Sequence, residues 1–164
     1  MKLSGFGITT DLPPGWEGRI TKRTAPVGPT GAAARTSATG TPGEVPGPIV
    51  HLANFALPEV RGDFGSGAVD LMGSGHVLIT LFEYGPESLG KALFARKGMP
   101  TVLPRMFDPA GLQKVIKGQA GFQRFFTEAD RAFCLYVVIG RHAEATALAA
   151  KANTTLRATR IDPR

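Results

Sequence analysis

The chain contains a single cysteine, so it cannot form an internal disulfide. Cys134 lies inside residues 132–139, the most apolar run of the sequence. A free cysteine in such a run behaves as a small buried hydrophobe, and a chain without disulfides is typical of reducing compartments. We therefore expect Cys134 to be buried and the protein to be cytoplasmic.

Long apolar segments are also missing. No run approaches the roughly 20 apolar residues that a membrane-spanning helix needs. Residues 1–7 lack the apolar centre of a secretory signal peptide. These observations predict a protein that does not insert into a membrane.

The sequence has none of the residue spacings that carry familiar chemistry. His51, His76 and His142 form no pair or cluster at metal-ligand spacing. Asp63-Phe64-Gly65 matches the metal-binding triplet of kinases, but the other kinase motifs are missing. The glycines of 62–67 do not form a dinucleotide fingerprint. We predict no catalytic residue, no metal and no cofactor. A small-molecule-binding domain, or an enzyme without a familiar motif, is an open alternative.

The charges are distributed unevenly along the chain. The net charge is +6 and the isoelectric point is near 9.9, yet acidic residues dominate 51–90 and basic residues dominate 91–124. The basic stretch contains no dense Lys/Arg run and no nucleic-acid-binding motif. We predict that it docks another protein with an acidic surface, and a nucleic-acid-associated role is the second alternative. The predicted partner-binding residues are Arg105, Lys114, Lys117 and Arg124.

Hydrophobic patterning predicts an α+β fold with a mainly antiparallel sheet flanked by helices. Apolar runs at 121–127 and 132–139, on either side of polar residues 128–131, predict a β-hairpin. The alanine-rich segment 142–157 predicts a helix that follows the hairpin. The nearly continuous apolar run 76–84 predicts a central strand covered on both faces.

Shorter patterns predict the remaining elements. Residues 6–10 and 16–21 alternate in character and predict two strands paired with each other. Large apolar residues at helical spacing predict a helix over 86–95. Residues 108–118 carry residues that would cap a short helix, but they also contain an internal glycine. They fit a helix or a strand, and we favour the strand.

We interpret residues 1–164 as one domain with one long insertion. Residues 24–48 are rich in proline, glycine, alanine and threonine and contain few large apolar side chains. Such a segment buries too little surface to offset its ordering entropy. It predicts a flexible loop, which is either a passive insertion or an arm that engages a partner.

The start of the chain resembles the PsbP-like fold family. There a strand runs into a Pro-Gly-Trp turn and the next strand begins at the tryptophan; Pro14-Gly15-Trp16 occupy those places here. The terminal hairpin followed by one helix is similar too. The resemblance implies an α/β/α sandwich. It also implies a binding role, since members include an extrinsic photosystem II subunit, a Ran-binding nuclear-import factor and adaptor chaperones for secreted bacterial effectors.

None of the partner-binding residues of those proteins is matched in this sequence, so the resemblance implies no site residue. The absence of familiar chemistry, the basic stretch and the resemblance together favour one function over the alternatives above. We expect a non-catalytic protein-binding domain of the adaptor or chaperone type.

Overall fold

The computed structural model describes residues 1–23 and 47–164. The predicted loop over 24–48 lies outside the described residues, apart from Gly47 and from Pro48, which begins a strand. The described residues form eight β-strands and two α-helices. In chain order these are β1 (Lys2–Gly5), β2 (Ile8–Asp11), β3 (Glu17–Lys22), β4 (Pro48–Ala53), α1 (Ser66–Val69), β5 (Val77–Glu83), β6 (Ala120–Glu128), β7 (Arg131–Ile139), α2 (Ala145–Arg157) and β8 (Thr159–Ile161).

Five strands form the main sheet in the order β3-β4-β5-β7-β6, and every neighbouring pair is antiparallel. β5 is the middle strand and is buried along its whole length, which confirms the prediction from its apolar run. The prediction of a mainly antiparallel α+β fold is therefore confirmed. Among the described residues, no helix combines the length and the apolar character that a membrane crossing requires.

The predicted hairpin is confirmed as β6 and β7, paired from Ala120–Ile139 to Glu128–Arg131. Only Ala129 and Asp130 form its turn, with φ angles of 50° and 55°. Positive φ at both central residues is characteristic of a type I′ turn, whose twist suits two-residue hairpins. The turn is therefore shorter than the polar tetrapeptide suggested.

Both faces of the main sheet are covered. On the first face, alternate residues of β5 such as Val77 and Ile79 belong to the same core as Leu148 and Leu156 of α2. The predicted terminal helix is therefore present, and it packs over the sheet through its Ala- and Leu-rich side. The second face carries a separate aromatic cluster under the connecting segments, where Phe64 stacks on Phe82 with ring centres 5.4 Å apart.

Three short strands form a second sheet in the order β1-β2-β8. The sequence patterns predicted strands over 6–10 and 16–21 that pair with each other. Strands are present close to both positions, as β2 and β3, but the predicted pairing between them is wrong. β2 instead pairs with β1 and β8, and β3 pairs with β4. Phe6 and Gly7 both have positive φ and form the turn that sends the chain back from β1 into β2.

Arg131 joins the two sheets. Its guanidinium donates to both carboxylate oxygens of Glu83, at 3.0 and 2.7 Å. It also donates to the carbonyls of Phe6 and Gly7 in the β1–β2 turn, and to that of Asp162 after β8. Since Glu83 belongs to the main sheet and the three carbonyls belong to segments next to strands of the small sheet, this side chain fixes the small sheet against the main one.

The Pro-Gly-Trp segment forms the predicted turn. The N–H of Trp16 donates to the carbonyl of Pro13 at 3.1 Å, and Gly15 has φ +80°. A glycine with positive φ after a proline is the signature of a type II turn. Trp16 is half-buried and packs at the margin of the core.

Two predicted elements are wrong. Residues 86–95 form two short 3-10 turns, Pro86–Ser88 and Ala92–Phe94, because Leu89 is extended and Gly90 has φ +80°. Residues 108–118 form neither a helix nor a strand. Asp108 makes a single bridge to Gly121, and the chain then leaves the sheet edge through a series of turns.

Candidate functional site

Two of the four predicted partner-binding residues meet in one cleft. Arg105 and Arg124 line it together with Arg96, which the sequence interpretation did not single out. The cleft has a volume of about 170 Å³. We call it the arginine cleft; its lining is Arg96, Pro100, Thr101, Leu103, Arg105, Met106 and Arg124.

The cleft exists because residues 96–108, which we call the arch, leave strand β6 near one end and rejoin it near the other. At the hairpin end, the N–H of Thr127 donates to the carbonyl of Arg96 at 2.7 Å, and Gly98 donates to Thr127 at 2.9 Å. At the far end, Asp108 and Gly121 exchange two backbone hydrogen bonds of 3.1 and 3.0 Å. Both ends of the arch are thus fixed to the same edge.

The middle of the arch is fixed to helix α2. The side-chain amide of Asn153 accepts from the N–H of Val102 and donates to its carbonyl, each at 2.8 Å. Phe107 packs edge-on against Phe122 of β6, with ring centres 5.1 Å apart. The arch is therefore supported from the helix and from the sheet, and the positions of Arg96 and Arg105 follow from it.

Replacing Asn153 by alanine is expected to lower the free energy of unfolding by about 1–3 kcal/mol, because both backbone groups of buried Val102 lose their partner. Urea unfolding would measure the loss. Thr154→Ala is the matched control, since Thr154 is exposed and its hydroxyl donates to the carbonyl of Ala150 in the same helix. Equal effects of the two substitutions would show that the Asn153 contact does not support the arch.

The cleft is positively charged. Arg96 and Arg105 are exposed and Arg124 is half-buried. Within the described residues, no carboxylate lies within 4 Å of these three guanidinium groups. Arg124 donates to the carbonyl of Gln123 at 2.9 Å, and its guanidinium carbon lies 5.6 Å from the ring centre of Phe122. Charged donors therefore face solvent without a described anionic partner.

The other two predicted residues do not line this cleft. The amino group of Lys114 pairs with Asp70, with the nearer oxygen at 2.7 Å. Lys117 is exposed in a turn of the segment that follows the arch. The four predicted residues therefore fall into two groups. Arg105 and Arg124 line the arginine cleft, and Lys114 and Lys117 lie outside it.

A larger cleft of about 760 Å³ lies beside the small sheet. Its lining mixes the basic residues Lys2, Arg157 and Arg160 with the acidic residues Asp11, Glu128 and Asp162. One oxygen of the Glu128 carboxylate accepts from the N–H of Met99 at 2.9 Å. Basic and acidic residues are equal in number in this lining, so their formal charges give no net preference for anions or cations.

His51 is a structural residue. Its Nε2 lies 2.9 Å from the carbonyl of Asp63, and its Nδ1 lies 3.2 Å from Nε of Arg61. A carbonyl can only accept and a guanidinium can only donate, so Nε2 carries the proton and the ring is neutral. Burial, together with the charge of Arg61, lowers the pKa of His51 to about 4.

Cys134 is buried in β7, as its apolar surroundings predicted. Burial raises the pKa of its thiol to about 12, so the thiol stays protonated near neutral pH and is a poor nucleophile. In the part of the chain that the structure describes, no three His, Cys, Asp or Glu side chains are grouped so that they could hold a metal ion.

Comparison of this chain with protein-family models, with curated proteins and with solved structures finds no match. Among the described residues, the arginine cleft is the strongest candidate for a functional site.

Proposed function

We propose that this protein is a non-catalytic binding domain that captures an acidic segment of another protein through the arginine cleft. The observation that carries the proposal is the convergence of Arg96, Arg105 and Arg124 on one cleft with no described carboxylate beside them. Guanidinium groups bind carboxylates with paired hydrogen bonds, so such a cleft favours Asp- and Glu-rich segments.

Three buried ionisable groups have structural roles, which supports a binding role over a catalytic one. His51 has both ring nitrogens engaged, and Cys134 is buried and protonated. Glu83 is held by Arg131 in the interior. These groups are used to build the fold. An adaptor-like role and an α/β/α sandwich are also what the PsbP-like resemblance implies, and we retain both as part of the proposal.

Selection from a library of short random peptides tests the proposal. The protein should enrich sequences with an excess of Asp and Glu over Lys and Arg, because the cleft presents only positive charge. The variant Arg105→Glu/Arg124→Glu should lose this enrichment. Its affinity for an enriched peptide should fall about tenfold or more, since two attractions become repulsions.

Lys114→Glu/Lys117→Glu is the matched control, because it changes the net charge equally and lies outside the cleft. It should retain the acidic preference. Enrichment without an acidic excess, or equal losses in the two variants, would contradict the proposal. Tighter binding of a DNA duplex or single-stranded RNA at the same arginines, with a steep salt dependence, would contradict it in favour of a nucleic-acid role.

A further inference from the structure

Among the described strands, β6 is an edge strand of the main sheet, and the middle of its outer edge forms no backbone–backbone hydrogen bond to another described residue. β6 is the last strand in the order, and β7 is the one described strand that pairs with it. Backbone groups along an antiparallel strand alternate between facing the neighbour and facing outward. Gly121 and Thr127 use their outward groups to hold the two ends of the arch.

The outward groups between these two anchors belong to Gln123 and Phe125. The hairpin indicates the same alternation between residues that face β7 and residues that face outward. Glu128 and Arg131 close its two-residue turn and therefore face each other, which places Gln123 and Phe125 among the outward-facing residues. Within the described part of the chain, the N–H of Gln123 and both backbone groups of Phe125 have no hydrogen-bond partner. The fourth group, the carbonyl of Gln123, accepts only from the side chain of Arg124.

The open stretch has a limited length. The span from Gly121 to Thr127 is about 20 Å, and the arch occupies both of its ends. The gap therefore accommodates about four residues of an added strand. Proteins commonly protect an unpaired strand edge from other strands by placing a charged side chain there. Arg124 has this role here through its single hydrogen bond to the carbonyl of Gln123, and an added strand could replace that bond.

A shallow cleft lies on each side of the open stretch. The arginine cleft lies on the arch side, and a second cleft of about 270 Å³ lies on the other side, between Gln123 and residues 111–113. Successive side chains of a strand point to opposite faces. A strand added at this edge would thus direct alternate side chains toward the arginines and toward the second cleft.

We propose that the acidic segment binds as an added β-strand along Gln123 and Phe125, with every second side chain an Asp or Glu directed to the arginine cleft. This inference rests on the proposed function and specifies its mode of recognition. Backbone hydrogen bonds would supply affinity and the arginines would supply selectivity.

The positive charge of the arginine cleft indicates whether a segment of a different protein or a second copy of this chain binds along β6. Pairing two copies along β6 would bring Arg96, Arg105 and Arg124 of each copy close to those of the other. Such like-charge contacts disfavour self-pairing, whereas an acidic strand neutralises them. We therefore commit to an acidic segment of a different protein as the occupant.

An N-methyl scan of an enriched acidic peptide tests this mode. Methylation removes one backbone donor at a time, and only every second residue of an added strand donates to β6. Affinity should fall about tenfold at alternate residues and change little at the others. A flat profile with normal acidic selection would refute strand addition while leaving the proposed function intact. Absence of any acidic selection would overturn both.

A pair of substitutions tests the same edge from the protein side. Gln123→Pro removes the outward N–H of Gln123 at a position where an edge strand tolerates proline. Gln123→Ala keeps that N–H and is the control. The proline variant should bind the peptide about tenfold more weakly than the alanine variant. Equal affinities of two folded variants, or a dimer of the wild-type chain formed through β6, would overturn the inference. If the proline variant does not fold, the peptide scan decides.

Discussion

Replacing Arg131 by alanine is expected to lower the free energy of unfolding by about 3–5 kcal/mol, because a buried charge loses its partner. The side chains of Arg131 and Glu83 are 2% and 3% exposed. The substitution also removes the donors that bind three carbonyls of the small sheet. Arg164 contacts the same carboxylate at 3.1 Å but is more than half exposed, so it compensates little.

Urea unfolding of the Arg131→Ala variant measures this loss. Arg141→Ala is the control, because Arg141 pairs with Glu144 at the surface and both side chains are largely exposed. An exposed pair contributes about 1 kcal/mol at most. A loss of that size at Arg131 would show that the buried pair does not join the two sheets.

The second large effect is a loss of stability as the pH falls from 6.5 to about 4. Burial and the nearby charge of Arg61 lower the pKa of His51 from 6.5 to about 4 in the folded protein. The unfolded chain therefore binds a proton in this range that the folded protein does not. The free energy of unfolding that depends on a neutral His51 is complete above pH 6.5 and decreases toward pH 4. The total decrease is about 3 kcal/mol.

Urea unfolding at a series of pH values across this range measures the effect. A His51→Gln variant should be less stable at neutral pH but should lose less stability on acidification. His142→Gln, which removes an exposed imidazole, is the control. A His51→Gln variant with the same pH slope as the wild-type protein would show that His51 is not kept neutral by the fold.

The main sheet could be predicted where a dense apolar pattern repeats over many residues. The hairpin, the central strand β5 and helix α2 each have such a pattern, and each is present. The small sheet could not be predicted in the same way. β8 has only three residues, and its partner β2 lies at the other end of the sequence. The position of β8 depends on contacts with residues far away in the sequence, and no local sequence pattern predicts such contacts.

The candidate site could be predicted in part. Its positive charge is visible in the sequence, and Arg105 and Arg124 were identified from it. The sequence could not separate them from Lys114 and Lys117 or add Arg96, because that grouping depends on the arch. The arch has no periodic pattern, and bonds to β6 and to Asn153, far away in the sequence, fix its path. Long-range contacts of this kind determine which charges become neighbours.

The most direct test of acidic-segment capture is an NMR titration that follows the Nε–H signals of the arginine side chains. On addition of an enriched acidic peptide, the signals of Arg96, Arg105 and Arg124 should shift together and saturate with one affinity. The signals of Arg157 and Arg160, in the larger mixed-charge cleft, should stay in place. Shifts confined to Arg157 and Arg160, or spread evenly over all exposed arginines, would contradict binding at the arginine cleft.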